Sequence, residues 1–243
     1  MTPEFFIILA VISALSVVQS VFGMGVLVFG TPTLLLMGYD FITTLGYLLP
    51  ASFAISFLQV VSAGSNRVQV SRYLYILCLP GIAAGLWFAE FSELSSWVNT
   101  LIGGTLLLSA LVRFWVPAKR LCTFLLDSHI PAYHLTMGII HGLTNLGGAM
   151  LAILASGTQT EKKAIRYTIA HYYLAFSAIQ LLVLTTIMGH RDFFIANLPM
   201  AAMSATVYLF VGNRIFNKTD NPTFNTALTL FIAVYGVVVL LKT

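Results

Sequence analysis

The sequence predicts an all-α polytopic membrane protein, and three observations carry that prediction. Of its 243 residues, 58% are hydrophobic and only 8% are charged, whereas soluble domains carry about 25% charged residues. The mean hydropathy is +0.92. Long apolar runs recur from Glu4 to Leu241, each near the ~20 residues a helix needs to cross a hydrocarbon core. In lipid each backbone amide must find its partner within its own segment, so such runs are helices. The short alternating segments of a β-barrel do not occur.

Taken in order, the first run spans Glu4–Gly38, too long for one crossing and interrupted by Phe22-Gly-Met-Gly25. It is either a re-entrant hairpin or two full crossings. Helices are expected over 43–63, 71–89 and 97–116, completing a first repeat at residues 1–116. A polar linker, 117–131, carries Lys119, Arg120 and Asp127. The second repeat, 132–243, opens with a broken hairpin at 132–156 containing His141-Gly-Leu-Thr-Asn-Leu-Gly-Gly148. Helices at 164–188, 193–212 and 223–241 complete it. Glycine costs a helix about 1 kcal/mol relative to alanine and permits a turn, so both breaks are real interruptions. Pro50 and Pro80 are expected to kink their helices. Tyr39, Tyr73, Tyr75, Trp97 and Trp115 fall near predicted span ends, as an aromatic belt requires.

The loop charges set the orientation. Basic residues cluster at Arg67/Arg72, at Arg113/Lys119/Arg120, at Lys162/Lys163/Arg166 and at Arg214/Lys218, while the loops at Asp40 and Glu90/Glu93 hold none. Positive residues mark cytoplasmic loops. Alternation then holds through the first half but fails across 132–156, whose flanks are both basic, so that segment returns to the side it left. If the first run is also a hairpin, the halves are inverted repeats: a re-entrant hairpin followed by three helices, twice. Placing Gly25 opposite Gly147, an offset of 122, aligns Gln19 with His141 and Gly23 with Asn145. After a one-residue gap, Gln59 faces Gln180 and Pro50 faces His171. Matched broken segments in two halves are the best sequence pointer to a transporter's binding site.

Several classes are excluded or disfavoured. The N-terminus has no basic segment ahead of its apolar run and no cleavage site, so it reads as a retained membrane segment rather than a signal peptide. Cys78 and Cys122 are too few and too far apart for a disulfide framework or a metal site. The net charge of +4 lies in loops, where it reports orientation and not nucleic-acid binding. No Walker-type loop is present, and no cofactor is expected. An intramembrane hydrolase or transferase would need a deep acid beside its histidines, and none is available. An accessory membrane subunit would not require matched breaks.

The stretch Gly23-Met-Gly25 leading to Pro32 and Leu34–Gly38, with Gly138-Ile-Ile-His-Gly142 and Gly147-Gly148 in the second half, resembles the TauE/SafE sulfite exporter family over nearly the whole chain. The resemblance implies a multi-pass transporter of the bacterial cell (inner) membrane that moves sulfite, sulfonate or a related sulfur oxyanion. The chain has fewer glycines around Gly25 than is usual in that family, and His141 and Asn145 stand at its second break. A non-sulfur organic anion therefore stays open as substrate. The expected partners are a small anion and the lipid bilayer, with a homodimer as a candidate assembly.

No carboxylate lies deep in any span, so an anion must be held by neutral donors and helix ends. A half-helix that starts in mid-membrane presents unpaired N–H groups and about half a positive charge, which suits oxyanions. The candidate substrate-binding residues are Gln19, Ser20, Gly23, Gly25 and Gln59 in the first half, with Thr31 nearby, and His141, Thr144, Asn145, Gly147, Gly148, His171 and Gln180 in the second. Each has a competing structural reading. Glycines in membrane helices often serve close packing, and buried amides often serve interhelical hydrogen bonds. His141 and His171 are either satisfied buried histidines or groups that bind an anion or carry a proton.

Overall fold

The computed structural model describes residues 3–91, 124, 126 and 128–240. The helix predicted over 97–116, together with Lys119, Arg120, Cys122 and Asp127, lies outside them. Every regular element among the described residues is helical, and none is a strand. The chain is an all-α polytopic membrane protein.

The first apolar run resolves into α1, Pro3–Phe22, and the 11-residue α2, Val26–Leu36. After α3, Phe41–Val61, a π-helical turn at Leu74–Cys78 leads into α4, Leu79–Phe91. The second broken segment gives α5, Ile130–Thr144, and α6, Gly148–Thr158, also of 11 residues. The next helix, α7, covers Lys162–Leu182 and continues through a π turn to Ile187. The predicted 193–212 span is longer and jointed: α8, Arg191–Ala196, α9, Leu198–Val207, a π turn at Tyr208–Gly212, and α10, Asn213–Lys218. The last helix is α11, Asn221–Leu240. Among the described residues four segments are long and apolar enough to cross a membrane: Glu4–Phe22, Phe41–Val61, Lys162–Ile187 and Arg191–Lys218.

Local chemistry explains several boundaries. Asp40 caps α3 by accepting from the Thr43 N–H at 2.9 Å. Partial burial pushes the Asp40 carboxyl up, but its hydrogen bonds from Thr43 and Ile42 outweigh this and hold it below its ordinary range. Glu161, just before α7, does not cap in this way. Its Oε2 accepts from Asn221 Nδ2 at 2.8 Å, and Asn221 Oδ1 accepts from the Lys162 N–H at 3.2 Å. The π turn before α4 ends at Cys78, two residues ahead of Pro80. A proline ring clashes with the carbonyl four residues back, and the wider turn, in which the Leu79 N–H reaches Leu74 O, relieves that clash.

The chain forms two compact units, one of Met1–Val68 with Arg166–Asp220 and the other of Gln69–Ile165 with Asn221–Thr243. These units are made by packing and cut across the two sequence halves. In the first, α1 packs against α2, α3, α9 and α10, and α3 packs against α9. In the second, α4 and α5 form the most extensive helix pair. Gly81 and Gly85 of α4 face Gly138 and Gly142 of α5. A Cβ on Gly138 or Gly142 would run into the backbone of Cys78 or Ile82. Here the packing role of small residues holds, because the two backbones touch.

Candidate functional site

The first break is built from the end of α1 and the start of α2. Gly23 takes a left-handed turn (φ 81°), and its N–H donates to Gln19 O at 2.8 Å. This is the helix-ending conformation that glycine enters without steric cost. Gly25 is the N-cap of α2. It sits so close to α1 that an added Cβ would lie 2.6 Å from Gln19 N and 2.9 Å from Leu15 O. The start of α2 therefore presses directly on the backbone of α1, which only glycine allows.

A helix interrupted in this way leaves loose N–H and C=O groups, and side chains from three helices take them up. Gln19 Oε1 accepts from the Val26 N–H at 3.0 Å, the first N–H of α2. Gln19 Nε2 reaches Ser52 O, Ser52 Oγ and Ser56 Oγ on α3 at 3.0–3.1 Å. Gln59, also on α3, donates through Nε2 to both Gln19 O and Ser20 O at 3.0 Å. Ser20 Oγ donates back to Ser16 O at 2.6 Å. The first-half candidates thus do come together, but the Gln19 amide is wholly engaged in closing the break.

One residue at this break was counted with the loops in the sequence. Arg166, in the first turn and a half of α7, donates from Nη1 to Ser20 O at 3.2 Å and to Asn213 Oδ1 at 3.4 Å. Its guanidinium carbon stands 3.4 Å from the centre of the Phe216 ring. A cation there faces the negative end of the α1 dipole. The signal that could have singled it out was its spacing, since Arg166 lies past Lys162 and Lys163 and inside the apolar periodicity of α7.

The second break repeats this backbone with different letters. Asn145 is the left-handed residue (φ 60°), and its N–H donates to His141 O at 2.7 Å. Asparagine tolerates this conformation better than other residues with a Cβ. Thr144 Oγ1 donates to Ile140 O at 2.7 Å and accepts from the Leu146 N–H at 3.2 Å. Gly147 is the N-cap of α6, and Gly148 begins that helix. A Cβ on Gly147 would meet His141 Cβ at 2.8 Å, Met137 O at 3.1 Å and His141 Nδ1 at 3.2 Å. Thus His141, Thr144, Asn145, Gly147 and Gly148 gather in the second unit.

The remaining candidates lie on α7 and α2. His171 and Gln180 lie on α7 in the first unit. His171 pairs with the Tyr167 ring at 5.7 Å, and Gln180 is fully buried. Thr31 is buried within α2. A cavity of about 750 Å³ in the first unit is lined by Pro50, Phe53, Leu181, Thr185 and Arg191, among others. No predicted site residue lines it. Among the described residues no cluster of side chains could hold a metal ion.

Element lengths follow the spacing seen in the letters. The short helices α2 and α6 begin at Val26 and Gly148, 122 positions apart, and α3 and α7 begin at Phe41 and Lys162, 121 apart. Among curated proteins and solved structures no match is found. The chain does match the family described as Sulfite exporter TauE/SafE, over residues 7–239. A multi-pass helical chain with two glycine-broken segments, matched along nearly its whole length, belongs to the TauE/SafE sulfite exporter family of membrane transport proteins.

Proposed function

We propose that the chain is a secondary transporter of a small anion, a sulfur oxyanion such as sulfite or a sulfonate, working by alternating access in a bacterial inner membrane. The observation that carries this reading is the pair of broken segments, each ending in an 11-residue helix with glycine at its N-cap. Helix ends exposed by such breaks bind anions in two-half transporters. Family membership supports the sulfur chemistry. No nucleotide-binding motif is present in the sequence, so the driving force is an ion gradient or the substrate's own gradient. In this reading the two halves are inverted repeats, and the recurrence of helix starts at a near-constant offset supports that relation.

Flux into proteoliposomes tests the proposal. Purified protein should move sulfite, thiosulfate or a sulfonate in preference to carboxylates, with a rate that responds to an imposed pH gradient. The absence of flux for every anion under every gradient would remove the transporter reading. Within it, His141→Ala should lower flux more than it lowers the melting temperature.

A further inference from the structure

Two polar groups at the first break are left over after the helix ends have been closed. Gln59 is buried, 2% exposed, and both neighbours of its Nε2 are carbonyl oxygens. That arrangement fixes the amide orientation and turns Oε1 away from them. Oε1 has no hydrogen-bond partner among the described residues. A buried acceptor left in this state costs about 1–3 kcal/mol, so it calls for a donor. The second group is Arg166. Its Nη1 is engaged by Ser20 O and Asn213 Oδ1 and its face by Phe216. Among the described residues its Nε and Nη2 edge has no hydrogen-bond partner and no carboxylate pairs with its charge. Gln59 Nε2 and Arg166 Nη1 converge on one atom, Ser20 O, at 3.0 and 3.2 Å. The orphaned acceptor and the unpaired cation are therefore near neighbours.

We infer that Arg166 and Gln59 form the anion-recognising pair of the first break and select a small monoanionic oxyanion that carries a hydrogen-bond donor. This rests on the anion-transport reading and narrows it. The Nε–Nη2 edge of a guanidinium matches two oxygens of a sulfonyl or similar group. Gln59 Oε1, an acceptor only, requires an O–H or N–H on the same ligand and repels a bare oxygen. The preferred substrate class is thus a singly protonated oxyacid anion or an amine-bearing sulfonate. A dianion, or a sulfonate with only an alkyl group, leaves Oε1 unpaired.

Sulfamate and methanesulfonate are suitable probes, since they differ by NH2 against CH3 on the same –SO3⁻ group. Ligand-induced thermal stabilisation of the purified protein in detergent reads binding without reference to transport. Wild-type protein should bind sulfamate about tenfold more tightly, the worth of one hydrogen bond to a buried acceptor. Gln59→Met should abolish that preference. Arg166→Gln should lose both ligands, and Arg166→Lys should recover binding in part while keeping the preference. Equal affinity for the two probes in wild-type protein overturns the inference, even if the variants fail to fold. So does an unchanged preference in a folded Gln59→Met protein. Proteoliposome flux of the same anions separates the two claims. Flux without discrimination leaves transport standing and removes the selective pair, whereas discrimination without flux does the reverse.

Discussion

At the first break Gly23 makes the left-handed turn, and side chains from outside the hairpin (Gln59 and Arg166) join Gln19 in closing the loose helix ends. At the second break Asn145 makes the same turn, and Thr144 does the closing from one residue away. The backbone path is shared down to the N–H that reaches four residues back, Gly23 to Gln19 O and Asn145 to His141 O. At the first break the polar partners come in part from two other helices. A solution that borrows from α3 and α7 ties the first hairpin to both helices.

The comparison can be tested most sharply at the two N-cap glycines. Gly25→Ala places a Cβ against the α1 backbone at Gln19 N and Leu15 O, neither of which can yield. We expect a loss of about 3 kcal/mol or more. Gly147→Ala meets mainly the His141 side chain and should cost about 1–2 kcal/mol. Melting temperatures of the two variants in detergent decide it, and equal shifts would break the asymmetry. Next come the closing side chains. Gln19→Leu strands the Val26 N–H and two buried serines and should cost about 2–3 kcal/mol. Thr144→Val removes a local cap and should cost about 1 kcal/mol. Urea or guanidinium midpoints on the same pair would show whether the first break is the more dependent on side chains.

A smaller effect tests the shared turn itself. Asn145→Gly should lie within about 0.5 kcal/mol of wild type, and Asn145→Val should lose about 1–2 kcal/mol, because β-branching is incompatible with the left-handed region. If valine were as well tolerated as glycine, the turn would not be what places asparagine there. The smallest expected effect sits at the helix starts that follow the hairpins. The Asp40 carboxyl is held below its ordinary range, so its capping contribution, about 0.5–1 kcal/mol, is complete above that range. It fades as pH falls through the lowered value. Asp40→Asn keeps a cap and should remove this acid sensitivity. Melting curves of the variant and the wild-type protein between neutral and acid pH provide the check.

Much of this molecule is written in its apolar runs and glycines. The first-break residues Gln19, Ser20, Gly23, Gly25 and Gln59 do cluster, and the pairing of Gly23 with Asn145 across the halves is matched by their left-handed conformations. The length of α2 was not legible, since no charge after Glu4 marks off the parts of the run Glu4–Gly38 and only Met37 separates Leu36 from Gly38. Nor was the use of Gln19: an amide seven residues before Val26 reads as interhelical glue until the chain turns back on itself. Arg166 was hidden by its neighbours. Three cations within five positions look like a loop, and only the start of α7 at Lys162 reveals that the third is carried on a helix against Ser20. The joints in 191–218 were equally invisible, because π turns leave no compositional mark.

The equal length of α2 and α6 has an electrical consequence. Eleven residues of helix cover about 16 Å, roughly half of the ~30 Å hydrocarbon layer. On the transport reading, an anion held beside the start of such a helix has crossed about half of the membrane's voltage drop. One elementary charge crossing the full drop is worth ~2.3 kcal/mol per 100 mV, so each half of the journey carries ~1 kcal/mol at that potential. In a cell that is negative inside, both halves favour outward movement of a monoanion. The resting potential would then drive export without a dedicated coupling site, and clamping the voltage across proteoliposomes with a potassium gradient would set both its direction and its rate.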